Sequence, residues 1–368
     1  MDERAVGYVA DKIFTGEEWL HHHAVVVEGG VIRDIVAEQL LPSSLPIIYL
    51  NGAILAPAFI DLQIYGAHER LLCEYPEPDA LYRLQDYCRR GGAAFCMPTV
   101  ATNTEEVFRQ CIDAVRNYWK EGGEGVLGLH LEGPWINSIK RGAHVESLIH
   151  VPDEEEVRRL LDYGEGVIKF ITLAPEVCSA RVIDMILERG IVISAGHSNA
   201  TYDEAMRSFR QGITTITHLF NAMSPLQHRS PGLVGAALDD AHVMSSIIPD
   251  GHHVDYAAIR IAKRAMGERL FVITDAVTGT DKGPYQHYLA GDKYESAGIL
   301  SGSALTMAKA FSNLVEHAGI ERGEALRMCS LYPARLMKMD DRVGLIKKGY
   351  LAKMIALNSY NEADFIGR

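Results

Sequence analysis

His197 and His218 stand where a β-branched run gives way to small and polar residues, in IVISAGHS and TTITHLFNAM. In a parallel α/β fold a buried strand presents its last side chains at the carboxyl edge of the sheet, where such folds do their chemistry. One histidine there reads as a local hydrogen-bonding residue; two, one βα unit apart, point to a metal site. The other strand ends add Gln63, Glu132, His253 and Asp275. Glu132, in HLEGPW, lies between Leu131 and Gly133, and a buried carboxylate needs a strong partner to stay charged. Glu132, His197 and His218 give a carboxylate and two imidazoles, a donor set for zinc or a similar divalent ion with one position open to water. Such an ion lowers the pKa of its water from about 15.7 toward about 7. Asp275, in VITDAVTG, alone would serve equally as a helix N-cap; beside the other three it is the base.

A second set differs in chemistry. His228 and Arg229 in SPLQHRSPG, with His253 in PDGHHVD, offer cationic and donor groups suited to a phosphate ester. Asn221 and Ala222 in LFNAM add side-chain and backbone donors. Arg229 suits a solvated loop or a subunit contact equally well. The triple histidine His21 to His23, in a turn ahead of a strand, reads as a solvated loop.

Positioning these residues requires strands whose ends converge. From residue 54 onward apolar strands alternate with helical stretches, the pattern of a parallel sheet covered by helices. Eight strand candidates follow: 54–63, 93–100, 125–133, 167–176, 191–198, 214–223, 243–251 and 270–276. They describe an α/β fold of the (β/α)₈ type. Helices are expected to start near Asp79, Thr104, Asp153, Thr201 and Asp255 and to stop at glycines. LAGDKYESAGILSGS reads as a polar, glycine-rich insert. Within residues 1–53, the segments from Tyr8 to Leu50 read as short strands with a hairpin at Gly29-Gly30, and within 338–368 the tail DRVGLIKKGYLAKMIALN reads as two short strands around a turn at Lys348-Gly349. The expected organisation is a barrel over 54–337 inserted in a small β-sandwich domain made by both termini.

Composition narrows the classes. With 368 residues, 48% of them hydrophobic, there is ample core, and no apolar run approaches a membrane span. Six cysteines without CxxC spacing read as reduced core residues. A net charge of −12 argues against a general nucleic-acid binder. The acidic start MDERAV lacks the basic and apolar order of a signal peptide, so a cytoplasmic location is expected.

The motifs PAFIDLQIYG, HLEGPWINSIKRGAH, GHSNATYDEA, THLFNAMSPLQHRSPGLVGAAL, PDGHHVD, VITDA and SGSALTM closely resemble those of the N-acetylglucosamine-6-phosphate deacetylase family of the amidohydrolase superfamily. The resemblance implies a homodimer that hydrolyses the N-acetyl group of N-acetylglucosamine 6-phosphate by hydroxide held on one divalent metal ion. Zinc is the first expectation, with iron, manganese or cobalt as alternatives. It also implies that Glu132, His197 and His218 hold the ion and that Asp275 is general base and acid. His144 would contact the sugar or amide carbonyl, and Asn221, Ala222, Arg229 and His253 the sugar phosphate, part of that site coming from the neighbouring subunit. Gln63 joins the substrate-binding set. Many amidohydrolases carry HxH at the end of the first strand for a second metal; here the slot reads Gln63-Ile64-Tyr65, poor zinc ligands, so one metal is expected. Ala58 for glycine in PGFID and Trp135 after HLEGP bear on pocket shape and hence on substrate preference. A cyclic-amide hydrolase or deaminase is disfavoured by the Arg229 and His253 cluster. A catalytically dead sugar-phosphate sensor would lack a ligand or the base, and all four are present.

Overall fold

Eight parallel strands run through one sheet in chain order: Phe59–Ile64, Ala93–Ala101, Leu129–Glu132, Ile168–Leu173, Val192–Ala195, Thr215–Ile216, Met244–Ile247 and Leu270–Val272. The structure is a computed structural model and describes residues 4–366, so the first three residues of the acidic N-terminus lie outside it. The first and last strands meet. Ile64 pairs in parallel with Ala276; the Asp275 N–H donates to Gln63 O (3.0 Å) and the Tyr65 N–H to Ala276 O (2.9 Å), which closes the barrel. The first and third strands are buried at every position, as expected of strands covered on both faces.

The helix starts follow local chemistry. Thr104 caps Glu105–Lys120 and Asp153 caps Glu154–Tyr163. Thr201 and Glu204 form a reciprocal capping box at the head of Tyr202–Gln211, which ends at Gly212. That box fixes where the chain leaves the fifth strand after His197.

Three elements differ from their sequence expectation. The sixth strand, expected over 214–223, holds only Thr215–Ile216, because the chain turns at once: His218, Phe220 and Ala222 all have positive φ. The stretch expected as a polar, glycine-rich insert, with no strands assigned to it, is a three-stranded antiparallel sheet, Tyr288–Ala290, Lys293–Ser296 and Ile299–Ser303. Its two turns fall at Gly291 and Gly298, both at positive φ, where glycine carries no Cβ penalty. In the tail the hairpin is not at Lys348-Gly349. It joins Met354–Leu357 to Ala363–Ile366, while Val343, Leu345 and Ile346 bury their side chains without forming a strand.

The terminal segments form a seven-stranded sheet. Its order is Ala363–Ile366, Met354–Leu357, Ile47–Pro57, Val6–Phe14, His23–Glu28 and Val31–Ala37, with Trp19–Leu20 beside Val6–Phe14. Ile13, Val25, Ile32, Leu55 and Met354 lie in its core. By internal contacts the chain divides into two units. One gathers the described residues up to Asp61, Cys88–Phe95 and the described residues from Thr306; the other holds Leu62–Tyr87 and Cys96–Leu305. Among the described residues no helix is long and apolar enough to cross a membrane.

Candidate metal centre

The second unit contains every residue singled out for chemistry. Glu132 closes the third strand; His197, His218 and Asp275 each lie two or three residues beyond the fifth, sixth and eighth. Those last three have φ of 46°, 38° and 54°, a region sparsely used by residues with a side chain and enriched at functional sites. The strained turn aims each side chain inward at the mouth. Gly196 permits the approach before His197, since a Cβ there would lie 2.7 Å from Thr172 Cγ2.

Glu132, His197, His218 and Asp275 are all buried. His197 Nε2 and His218 Nε2 are 3.1 Å apart and lie 3.3 and 3.2 Å from Glu132 Oε1. His197 Nδ1 lies 2.9 Å from Lys140 O. A carbonyl only accepts, so Nδ1 carries a proton and Nε2 is the ring atom turned toward the Glu132 carboxylate. Three donor atoms gathered at these separations can share a cation among them. Four donors held about 2.1 Å from a tetrahedral centre are about 3.4 Å apart, close to the sides of this triangle. The donor set fits a divalent ion. His218 Nδ1, in contrast, is buried without a hydrogen-bond partner.

Distance alone also admits His144, because donor atoms of Glu132, His144 and His197 lie within 4.8 Å of one another. Its hydrogen bonds point elsewhere. The Thr102 N–H donates to His144 Nδ1 (3.3 Å), and Thr102 Oγ1 lies 2.7 Å from the same atom. Nδ1 is therefore an acceptor, and the neutral ring carries its proton on Nε2, 3.3 Å from Glu132 Oε2. Burial, with His197 nearby, pushes the His144 pKa down to about 4 against the pull of Glu132, so the ring is neutral. His144 is built as a donor. Burial would raise the Glu132 carboxyl, but His197, His144 and His218 outweigh it and hold it well below the usual range.

Gln63 and Tyr65 occupy the floor. The two Gln63 Nε2 hydrogens are shared among Asp275 Oδ1 (2.8 Å), the Tyr65 hydroxyl (2.8 Å) and Glu132 Oε1 (3.0 Å). The Tyr65 hydroxyl donates to Glu132 Oε2; burial, then Glu132 and Asp275, raise its pKa well above the usual value, so it stays protonated. Gln63 is 2% exposed, with its amide directed at the carboxylates.

The cavity over the centre, about 200 Å³, is lined by Glu132, His144, His197, His218 and Asp275 together with Asn221, Ala222 and His253. His253 Nδ1 is 2.6 Å from Asp250 Oδ2. Burial raises the Asp250 carboxyl, but the His253 ring and the His252 and His253 N–H groups hold it low, so an anion orients that ring. Arg229 does not line this cavity. Gln227 and Ser230 pair at 3.1 Å in both directions, leaving His228 and Arg229 at the tip of an exposed hairpin. Sequence reasoning missed Thr102, which only its place after the second strand could have suggested, and saw Tyr65 only as a poor ligand.

The Amidohydrolase family matches residues 54–368, and the NagA composite domain matches 10–55. The N-acetylglucosamine-6-phosphate deacetylase of Haemophilus influenzae is 33% identical over 93% of this chain and 92% of its own length. The N-acetylgalactosamine-6-phosphate deacetylase of Escherichia coli O157:H7 is 30% identical over 95% and 94%. The crystal structure of N-acetylglucosamine-6-phosphate deacetylase from Pasteurella multocida superposes with a TM-score of 0.94, at 33% identity, over 99% of this chain and 100% of that one. Closed barrel, clustered carboxylate and imidazoles, and these full-length likenesses agree: the chain is an enzyme that belongs to the amidohydrolase family, in its group of N-acetylglucosamine-6-phosphate deacetylases.

Proposed function

We propose that this protein hydrolyses N-acetylglucosamine 6-phosphate to glucosamine 6-phosphate and acetate. The observation that carries the reading is the triangle of Glu132 and two imidazoles, joined to Asp275 by the Gln63 amide nitrogen. Glu132, His197 and His218 would hold one divalent ion, zinc in the first instance. When bound, that ion acidifies water and polarises a carbonyl. Gln63 and Tyr65 present donors where a second ion would need ligands, which favours a single one.

Asp275 accepts the proton of the attacking water and returns it to the departing amine. The His144 Nε2–H donates to the carbonyl oxygen as charge grows there, an oxyanion contact that Thr102 keeps in register. Asn221, Ala222 and His253 line the way out and bind the sugar phosphate. Arg229 reads the phosphate from a neighbouring copy in a homodimer, which its exposed tip position suits.

Incubating the purified protein with N-acetylglucosamine 6-phosphate, with and without chelator, tests the reading. Acetate release that chelation abolishes is expected; no metal-dependent release would reject it. The galactosamine epimer belongs in the same assay, since relatives with both names align along this chain.

A further inference from the structure

A second cavity adjoins the metal centre. It shares Tyr65, Glu132, Ala143, His144 and Ser301 with the mouth. Apart from His287, its remaining wall is apolar: Leu71, Ala101, Val277 and Tyr285 form a hydrophobic cluster, with Cys73 packed against it. Its volume is about 50 Å³. A water-sized occupant needs about 10–15 Å³, so there is room for roughly three or four heavy atoms.

The polar groups at its edge are bonded already. The Tyr285 hydroxyl donates to Thr102 O (2.6 Å), and His287 Nδ1 lies 2.9 Å from Ser301 Oγ. Burial pushes the Cys73 thiol up to about 12, with Glu74 adding to it, and the His287 ring down to about 4, so both are neutral. Walls of this kind favour an alkyl group over a charged ligand.

The orientation of substrate, which rests on the deacetylase reading above, says which alkyl group this is. With the reacting carbonyl between His144 and Asp275, and the sugar leaving past Asn221, Ala222 and His253, the substituent on the carbonyl carbon is directed to the other side of Glu132 and His144. We propose that this cavity is an acyl subsite, and that the enzyme accepts N-acyl hexosamine phosphates whose straight chains extend beyond acetyl, to about butyryl or pentanoyl. A methyl group alone fills only part of it. The reaction is unchanged: the amide C–N bond breaks, the water oxygen ends on the acyl carbon, and the amine leaves with the proton.

The test compares N-acetyl- and N-butyrylglucosamine 6-phosphate in two measurements. One is calorimetric binding to metal-loaded Asp275→Asn protein, which separates binding from turnover; the other is carboxylate release by the unaltered enzyme. At about fourfold per buried methylene, butyryl should bind about 15-fold tighter, and it should be hydrolysed with kcat/KM at least equal to that of acetyl. Ala101→Val and Cys73→Leu, each narrowing the cavity from a different side, should remove that preference while acetyl binding changes by less than about threefold. Butyryl binding weaker than acetyl, or either folded variant shifting both ligands equally, overturns the subsite. Acetate release with no chain-length preference in binding rejects the subsite and keeps the reaction, whereas a chain-length preference in binding without any carboxylate release rejects the reaction and keeps the subsite.

Discussion

His218 and Arg229 are eleven positions apart, and the chain treats them in opposite ways. His218 is buried in a strained turn, its Nε2 within 3.2 Å of both His197 and Glu132. Arg229 rides the exposed tip of a two-residue hairpin outside the cavity. The floor is completed by one chain: strand ends bring its members together, and Gln63 and Tyr65 bond the ligand to the base. The hairpin tip is not completed by anything in its own cavity. Chemistry and substrate capture are thus built to different degrees within a single chain, and perturbing each should give a different kinetic signature.

The largest expected effect is at the floor. Asp275→Asn keeps the Oδ1 that accepts from Gln63 but removes the proton acceptor. Turnover should fall by about 10²- to 10⁴-fold, with metal content by elemental analysis unchanged and KM little altered. Near-normal turnover would take Asp275 out of the mechanism and dissolve the contrast between floor and tip.

That contrast also explains what the sequence made legible. Glu132, His197, His218 and Asp275 could be found because a parallel strand announces its own end, and barrel closure then needs no further information to make those ends neighbours. The short sixth strand could not be read so. Thr214 to Met223 is β-branched and apolar enough for a full strand, but the turn that aims His218 claims its second half. The strands of 288–303 are weakly patterned because all three lie at intermediate or full exposure over most of their length. The tautomer of His144 was out of reach for another reason: Thr102 meets it across 42 positions, and no local pattern encodes such a pair.

The next effect in size belongs to the tip. A hydrogen bond to a charged group is worth about 1.5–3 kcal/mol, so Arg229→Ala should raise KM for the phosphorylated sugar by about 10- to 100-fold and leave kcat nearly intact. Unphosphorylated N-acetylglucosamine should be indifferent to the change. Mixing Arg229→Ala with Asp275→Asn subunits sharpens the point. If Arg229 serves a neighbour's floor, each hybrid dimer contains one site with both parts intact, and activity at low substrate returns. If it folds back onto its own floor, no hybrid site is whole and the mixture stays as poor as its components.

The smallest effect divides the floor itself. Thr102 is fully buried and holds His144 Nδ1 through its hydroxyl and its N–H, and Thr102→Val deletes the hydroxyl at constant shape. One neutral hydrogen bond is worth about 1 kcal/mol, so kcat should fall by about five- to tenfold as the hold on His144 Nδ1 is reduced to the Thr102 N–H alone. Metal content should not change, because His197 and His218 do not depend on Thr102 for their approach to Glu132. Should the variant instead lose its metal with little effect on the remaining loaded fraction, His144 would be a ligand, and distance rather than hydrogen-bond direction would have been the better guide to this site.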